Sequence, residues 1–140
     1  MKTYTLRPPI TLGQVEHRQL LVLAMAGTGH SAEAADYLLY EMERARVVPD
    51  ASLRSDIVRM GSRVRYRTDT DQLYEVTLVY PKHADISEGR ISVLTPVGTA
   101  LIGLRKGQSI TWTTRNGTRN VLTVLDVWPP KPDPEANAAA

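Results

Sequence analysis

Sixteen residues, Thr95 to Ile110, limit what this chain can fold into more than any other stretch. Thr95 is placed to cap a helix, because a side-chain oxygen there accepts from the unpaired amides of the first turn. Pro96 suits the first helical position, where no amide is required. Ala100, Leu101 and Leu104 then recur at one-turn spacing as an apolar stripe, and Gly103 and Gly107 supply exits that other residues resist. A helix of about two turns does not hold itself together in water, since nucleation is costly. It must be pressed against something larger, and the β-rich sequence around it predicts a sheet.

Upstream, Thr3 to Leu6 reads as a short strand, and Thr11-Leu12-Gly13-Gln14 fits a capping box that opens a first helix. Its apolar positions Val15, Leu20, Leu21, Leu23 and Met25 run to Ala26, where Gly27-Thr28-Gly29-His30 breaks the pattern. Ser31 caps a second helix, with Ala35, Leu38, Leu39, Met42 and Ala45 as its stripe and Pro49 as its stop. The expectation for residues 1–50 is an antiparallel helical hairpin with arms of about 15 to 17 residues, each about 22 to 26 Å long. Asp50 to Met60 reads as a polar connector. The period then changes to two: Ser62 to Thr68, Leu73 to Tyr80, Arg90 to Leu94, Ser109 to Thr114 and Arg119 to Trp128 are the expected strands. Asn116-Gly117 marks a tight hairpin, whose two-residue turn sets Trp112 opposite Val121. Residues 51–130 thus form an α+β domain, an antiparallel sheet with one short helix. Pro129 to Pro134 and the Ala-rich end should be disordered, with 131–140 as a tail.

There is no cysteine, which excludes disulfides, thiolate metal sites and thiol nucleophiles. The N-terminus lacks an apolar signal core, and the longest apolar run, Leu20 to Ala26, is far too short for a membrane span, so a soluble cytoplasmic protein is expected. Residues 51–130 carry 11 basic and 7 acidic side chains, against 5 and 6 in residues 1–50. That surplus is too small for strong non-specific nucleic-acid binding but helps docking on an acidic partner. His17, His30 and His83 have no metal-ligand spacing and read as surface histidines, and Gly27-Thr28-Gly29 follows a helix rather than the strand a phosphate loop needs. Glu33 and Asp36 share a helix face beside the hairpin tip at His30. They either hold a hard cation or simply complement the helix dipole. Arg63, Arg65 and Arg67 form a basic strand face, suited to phosphate or an acidic protein surface, or serving as a solvated face that protects an edge.

Four stretches carry a resemblance: Met60 to Val64, Val76 to Pro81, Ile91 to Leu104 with its TPVGTALIGL, and Gly107 to Trp112. With them, and with a helical hairpin in front, the chain resembles the Gre family of bacterial transcription factors, and within it the branch of regulators of nucleoside diphosphate kinase. The hairpin matches in layout only. The resemblance implies an FKBP-like C-terminal domain that docks on the rim of the RNA polymerase secondary channel while the hairpin points into it. In the family's cleavage factors, paired acids at the tip of a long hairpin help hold the second Mg²⁺, and an Asp-Ser-Pro-like turn contacts the rim. Here that turn reads Leu94-Thr95-Pro96 without the acid, and Gly27 to Ser31 contains no carboxylate.

The resemblance therefore implies a monomer that binds RNA polymerase without stimulating cleavage, needs no cofactor, and meets nucleic acid only indirectly, inside the transcription complex. It is not expected to be an enzyme. The alternatives are an adaptor that acts on nucleoside diphosphate kinase or another protein, and a prolyl isomerase. The last needs a deep aromatic pocket, for which the domain offers Tyr66, Tyr74, Tyr80, Trp112, Trp128 and no Phe.

Overall fold

The computed structural model describes residues 6–26, 32–113 and 117–130. The expected residues Thr3 to Thr5, His30, the cap Ser31, Asn116 and the tail 131–140 lie outside that set. The alternation of Arg63, Arg65 and Arg67 with Val64 and Tyr66 produces strand β3 (Arg63–Thr68), whose apolar residues are buried while its arginines stay exposed. β3 lies at the centre of a five-stranded sheet. On one side it pairs antiparallel with β4 (Leu73–Val79), and on the other with β7 (Arg119–Trp128). β6 (Ser109–Thr113) pairs antiparallel with β7, and β5 (Arg90–Ser92) lies parallel to β4, giving the order β5-β4-β3-β7-β6. The sheet is therefore mixed rather than wholly antiparallel. A parallel neighbour requires the chain to cross over before it pairs again, and the two 3₁₀ turns of residues 81–88 make that crossing.

The hairpin register also departs from expectation. Trp112 pairs with Asn120, and Thr111 with Val121. Five residues, 114–118, separate the last paired positions instead of two, and one residue of slip exchanges the faces that neighbours present. Trp112 consequently packs against the core side of the sheet.

Helices α1 (Gln14–Ala26) and α2 (Ala32–Arg44) are the hairpin arms. His17 in the first turns of α1 meets Met42 near the end of α2, so the arms run antiparallel. Each has 13 residues within the described set, about 20 Å, and both end at the stretch 27–31 outside it. Thr11 does not cap α1. Thr11–Gly13 is strand β1, paired parallel with β2 (Arg46–Val48) where the second helix was expected to continue toward Pro49. α1 begins at Gln14, and the Val15 amide donates to Asp50 Oδ2 at 3.4 Å. The buried face of α1 is Glu16, Leu20 and Ala24, while Val15 and Met25 are exposed. Nor is the 50–60 connector merely polar, because Ile57 and Val58 are buried. One apolar cluster joins Leu20, Leu38 and Met42 of the hairpin to Val64, Leu78, Leu101, Ile110 and Leu122.

The N-terminal lead follows the edge of the sheet. Leu6 donates its amide to Thr111 Oγ1 at 2.8 Å, and the Thr111 amide donates to the Leu6 carbonyl at 3.1 Å. These bonds satisfy part of the open edge of β6, which would otherwise present unpaired donors and acceptors. Pro130, grouped with the tail by composition, is half-buried beside Gly61.

Candidate functional site

The turn Leu94-Thr95-Pro96 joins β5 to α3 (Pro96–Leu101). Leu94 is buried, Thr95 exposed and Pro96 half-buried at the start of the helix. Thr95 Oγ1 accepts from the Gly98 amide at 3.1 Å and donates to the Ser92 carbonyl at 2.7 Å, so one hydroxyl ties the helix start to the strand end. Ser92 Oγ accepts from the Leu94 amide at 3.0 Å, and Thr99 Oγ1 donates to the Val93 carbonyl. Gly98 is required by closeness: a Cβ there would collide with the Ser92 carbonyl oxygen. The turn is thus set by three hydroxyls and one close backbone approach, and its outer surface presents Thr95 and the Pro96 ring.

Glu33 and Asp36 are exposed on the first two turns of α2. Among the described residues, no group of three or more His, Cys, Asp or Glu is gathered so as to hold a metal ion. His17 is not a free surface side chain: its Nε2 donates to the Met42 carbonyl at 2.9 Å and ties the two arms.

The basic strand face is partly spent on local contacts. Arg63 pairs with Glu75 at 3.0 Å, and its guanidinium lies 4.6 Å from the centre of the Trp128 ring. Arg65 lies between Glu75 and Asp126 in the ladder, but Asp126 turns to Lys106 at 3.4 Å. Neither Arg65 nor Arg67 has an ion pair among the described residues. Because β3 is the central strand, these arginines protect no edge, which removes that reading.

Two buried acids at the base of the hairpin escaped the sequence reading. Glu41 is fully buried, and Arg44 grips both its oxygens, Nε to Oε2 at 2.6 Å and Nη2 to Oε1 at 2.9 Å. The third face of the same guanidinium donates to the Pro8 carbonyl at 2.7 Å, while Arg7 lies 3.7 Å from Glu41 and over the Tyr40 ring. Glu16 accepts from the Met60 amide at 2.9 Å, with Arg59 at 3.8 Å. Burial raises the Glu16 carboxyl above the ordinary carboxylate value, against the pull of that amide and of Arg59. Tyr80 donates to Gln19 Oε1 at 3.0 Å, and its phenol is raised by burial first and then by Glu16. The one available signal was positional: Glu41 falls three residues after Leu38 and next to Met42, inside the apolar stripe.

As a whole, this fold of helices seated on a mixed sheet is that of a solved transcription elongation factor. The solved prokaryotic transcription elongation factor GreA/GreB from Nitrosomonas europaea shares it with a TM-score of 0.67 and 32% identity, over 87% of this chain and 99% of that one. Residues 53–129 match the family model for the C-terminal part of transcription elongation factor GreA/GreB, and this chain belongs to that family. It is similar to the regulator of nucleoside diphosphate kinase of Escherichia coli (strain K12), with 35% identity over 122 residues, 86% of this chain and 90% of the relative. It is also similar to transcription elongation factor GreA of Roseiflexus castenholzii, with 38% identity over 87 residues, 61% of this chain and 55% of that protein. Among the described residues no helix is long and apolar enough to cross a membrane.

Proposed function

We propose that this protein is a non-enzymatic transcription regulator that binds bacterial RNA polymerase near the secondary channel, does not stimulate RNA cleavage, and competes there with Gre factors. The observation that carries the reading is a locked Leu94-Thr95-Pro96 turn combined with hairpin arms of only 13 residues. The turn lies within the stretch that matches the elongation-factor family. The arms reach only about 20 Å, and their acids Glu33 and Asp36 are carried on the second arm rather than by Gly27 to Ser31. Metal-assisted hydrolysis tolerates little displacement of its ligands, so a short arm docks without completing the chemistry.

The test measures polymerase binding and RNA cleavage separately on backtracked complexes. Binding with cleavage at the polymerase's own rate is expected, together with suppression of Gre-stimulated cleavage as the protein is titrated in. Cleavage above the polymerase's own rate refutes the reading. Thr95→Asp or Pro96→Gly should change polymerase affinity more than Glu33→Ala, and the opposite order removes the turn from the docking contact.

A second reading is favoured by the similarity to the Escherichia coli regulator of nucleoside diphosphate kinase, of which this chain covers 90%. It is an adaptor acting on nucleoside diphosphate kinase. Capture of purified kinase but not purified polymerase would select it.

A further inference from the structure

Three arginines distant in sequence line a cleft of about 400 Å³ at the base of the hairpin. Arg46 comes from β2, Arg54 from the connector and Arg105 from the loop that follows α3. Alternation in the β1–β2 pair brings Thr11 and Arg46, register partners, to the cleft, while Leu12 between them in sequence goes to the core. The other two walls are joined backbone to backbone. Ile57 bridges Arg105, the Val58 amide donates to the Leu104 carbonyl at 2.7 Å, and the Lys106 amide donates to the Asp56 carbonyl at 2.9 Å. The Thr11 amide donates to the Gly103 carbonyl at 3.1 Å and closes the ring of segments.

The electrostatics are one-sided. Among the described residues no carboxylate lines the cleft. Arg54 is held by Asp56 at 3.1 Å, whereas Arg46 and Arg105 have no ion pair among the described residues. Cations lining one cleft repel one another until an anion enters, and arginines carried by separate segments suit oxygens spread over more than one centre. The volume lies in the range of small-molecule sites and exceeds what one phosphate fills. Thr11 also lines the cleft.

We propose that this cleft binds a small anion carrying two or three linked phosphate groups. The site is separate from the Leu94-Thr95-Pro96 turn and from the arginines of β3, so it stands or falls independently of polymerase docking.

Isothermal titration of the full chain at low ionic strength, with orthophosphate, pyrophosphate, tripolyphosphate and ATP as probes, tests the assignment. Saturable binding of tripolyphosphate at one site is expected, tighter than orthophosphate and weakened by added salt. Arg46→Ala and Arg105→Ala should each weaken it by about tenfold, the scale of one charge-assisted contact. Arg54→Ala should weaken it less, because Asp56 already holds that side chain. Arg65→Ala, on the open sheet face, should change it by less than about twofold, and ligand-free melting curves of the variants should match the parent, since these side chains are exposed. ATP binding more tightly than tripolyphosphate assigns the phosphates to a nucleotide, and equal affinity assigns them to the chain of phosphates alone. Absence of saturable binding, or an equal loss in Arg65→Ala and Arg105→Ala, overturns the proposal.

Discussion

Removing one hydroxyl at Thr95 should loosen the turn by an amount its bonds define. Thr95 Oγ1 both accepts from Gly98 and donates to Ser92, and α3 has only six residues, too few to stand without its cap. Thr95→Ala removes the cap, which costs about 1 kcal/mol, and removes a bond to a carbonyl that still keeps the Thr95 amide at 3.1 Å. The total should be about 1–2 kcal/mol, or a melting point lowered by about 3–8 °C in a chain of this size. Thr95→Ser keeps the hydroxyl and should stay within about 0.5 kcal/mol of the parent. Gly98→Ala is the harsher change, because its methyl group meets a backbone oxygen that cannot swing aside, and about 3 kcal/mol or more is expected. Urea unfolding monitored by circular dichroism gives these differences directly. Thr95→Ala as stable as the parent, or Gly98→Ala milder than Thr95→Ala, would refute the account of how the turn is held. Polymerase affinity should follow the same order, with Thr95→Ser retained.

The Glu41–Arg44 pair should behave as a buried ion pair. Arg44→Met leaves Glu41 buried with Arg7 at 3.7 Å as its remaining ion-pair partner among the described residues and should cost about 3–5 kcal/mol, while Glu41→Leu with Arg44→Met should recover most of that in the same unfolding assay. Costs that simply add in the double variant would show the pair is uncoupled. At high pH the group to follow is Tyr66, whose phenol is pushed up to about 12 by burial, with Tyr74 stacked beside it adding to the rise. A phenol raised in the folded state keeps its stabilising contribution below the ordinary value of 10.0 and loses it as pH climbs from there toward about 12. Unfolding measured across that window should show a steep fall that Tyr66→Phe reduces; an equally steep fall in the variant argues against a buried phenol.

What was legible in the sequence is what local rules determine. Thr95, Pro96 and the Ala100–Leu101–Leu104 stripe encode α3 in adjacent residues, and the alternation of β3 needs no knowledge of its partners. Most of the failures are pairings that local pattern does not determine. Thr11 satisfies the rule for a cap, yet Arg46, 35 residues away, takes it into a strand, and a three-residue strand leaves almost no pattern to detect. β5 was visible as a strand, but its parallel direction depends on how the chain crosses over from β4. The register of Trp112 was inferred from a two-residue turn that the sheet does not make. For the same reason the arginine cleft was invisible, since Arg46, Arg54 and Arg105 share no spacing and meet only through the bridges between their segments.

The two buried acids, Glu16 and Glu41, lie at the base of the hairpin, and that location explains them better than stability does. Apolar contact between Leu20, Leu38 and Met42 and the sheet domain fixes how near the hairpin lies but tolerates rotation, because dispersion and hydrophobic burial are non-directional. Hydrogen bonds are directional. Glu16 holds the Met60 amide, Tyr80 holds Gln19, and Arg44 holds the Pro8 carbonyl of the N-terminal lead. A hairpin free to rotate on its base would satisfy the apolar cluster in several poses but all of these bonds in only one. Replacing the pair at Glu41 and Arg44 with apolar residues should therefore leave stability nearly intact while broadening hairpin orientation, and polymerase competition should weaken although the Leu94-Thr95-Pro96 turn is untouched. A variant equally stable and equally competitive would separate the buried charges from aiming the hairpin and leave the apolar cluster alone to set its pose.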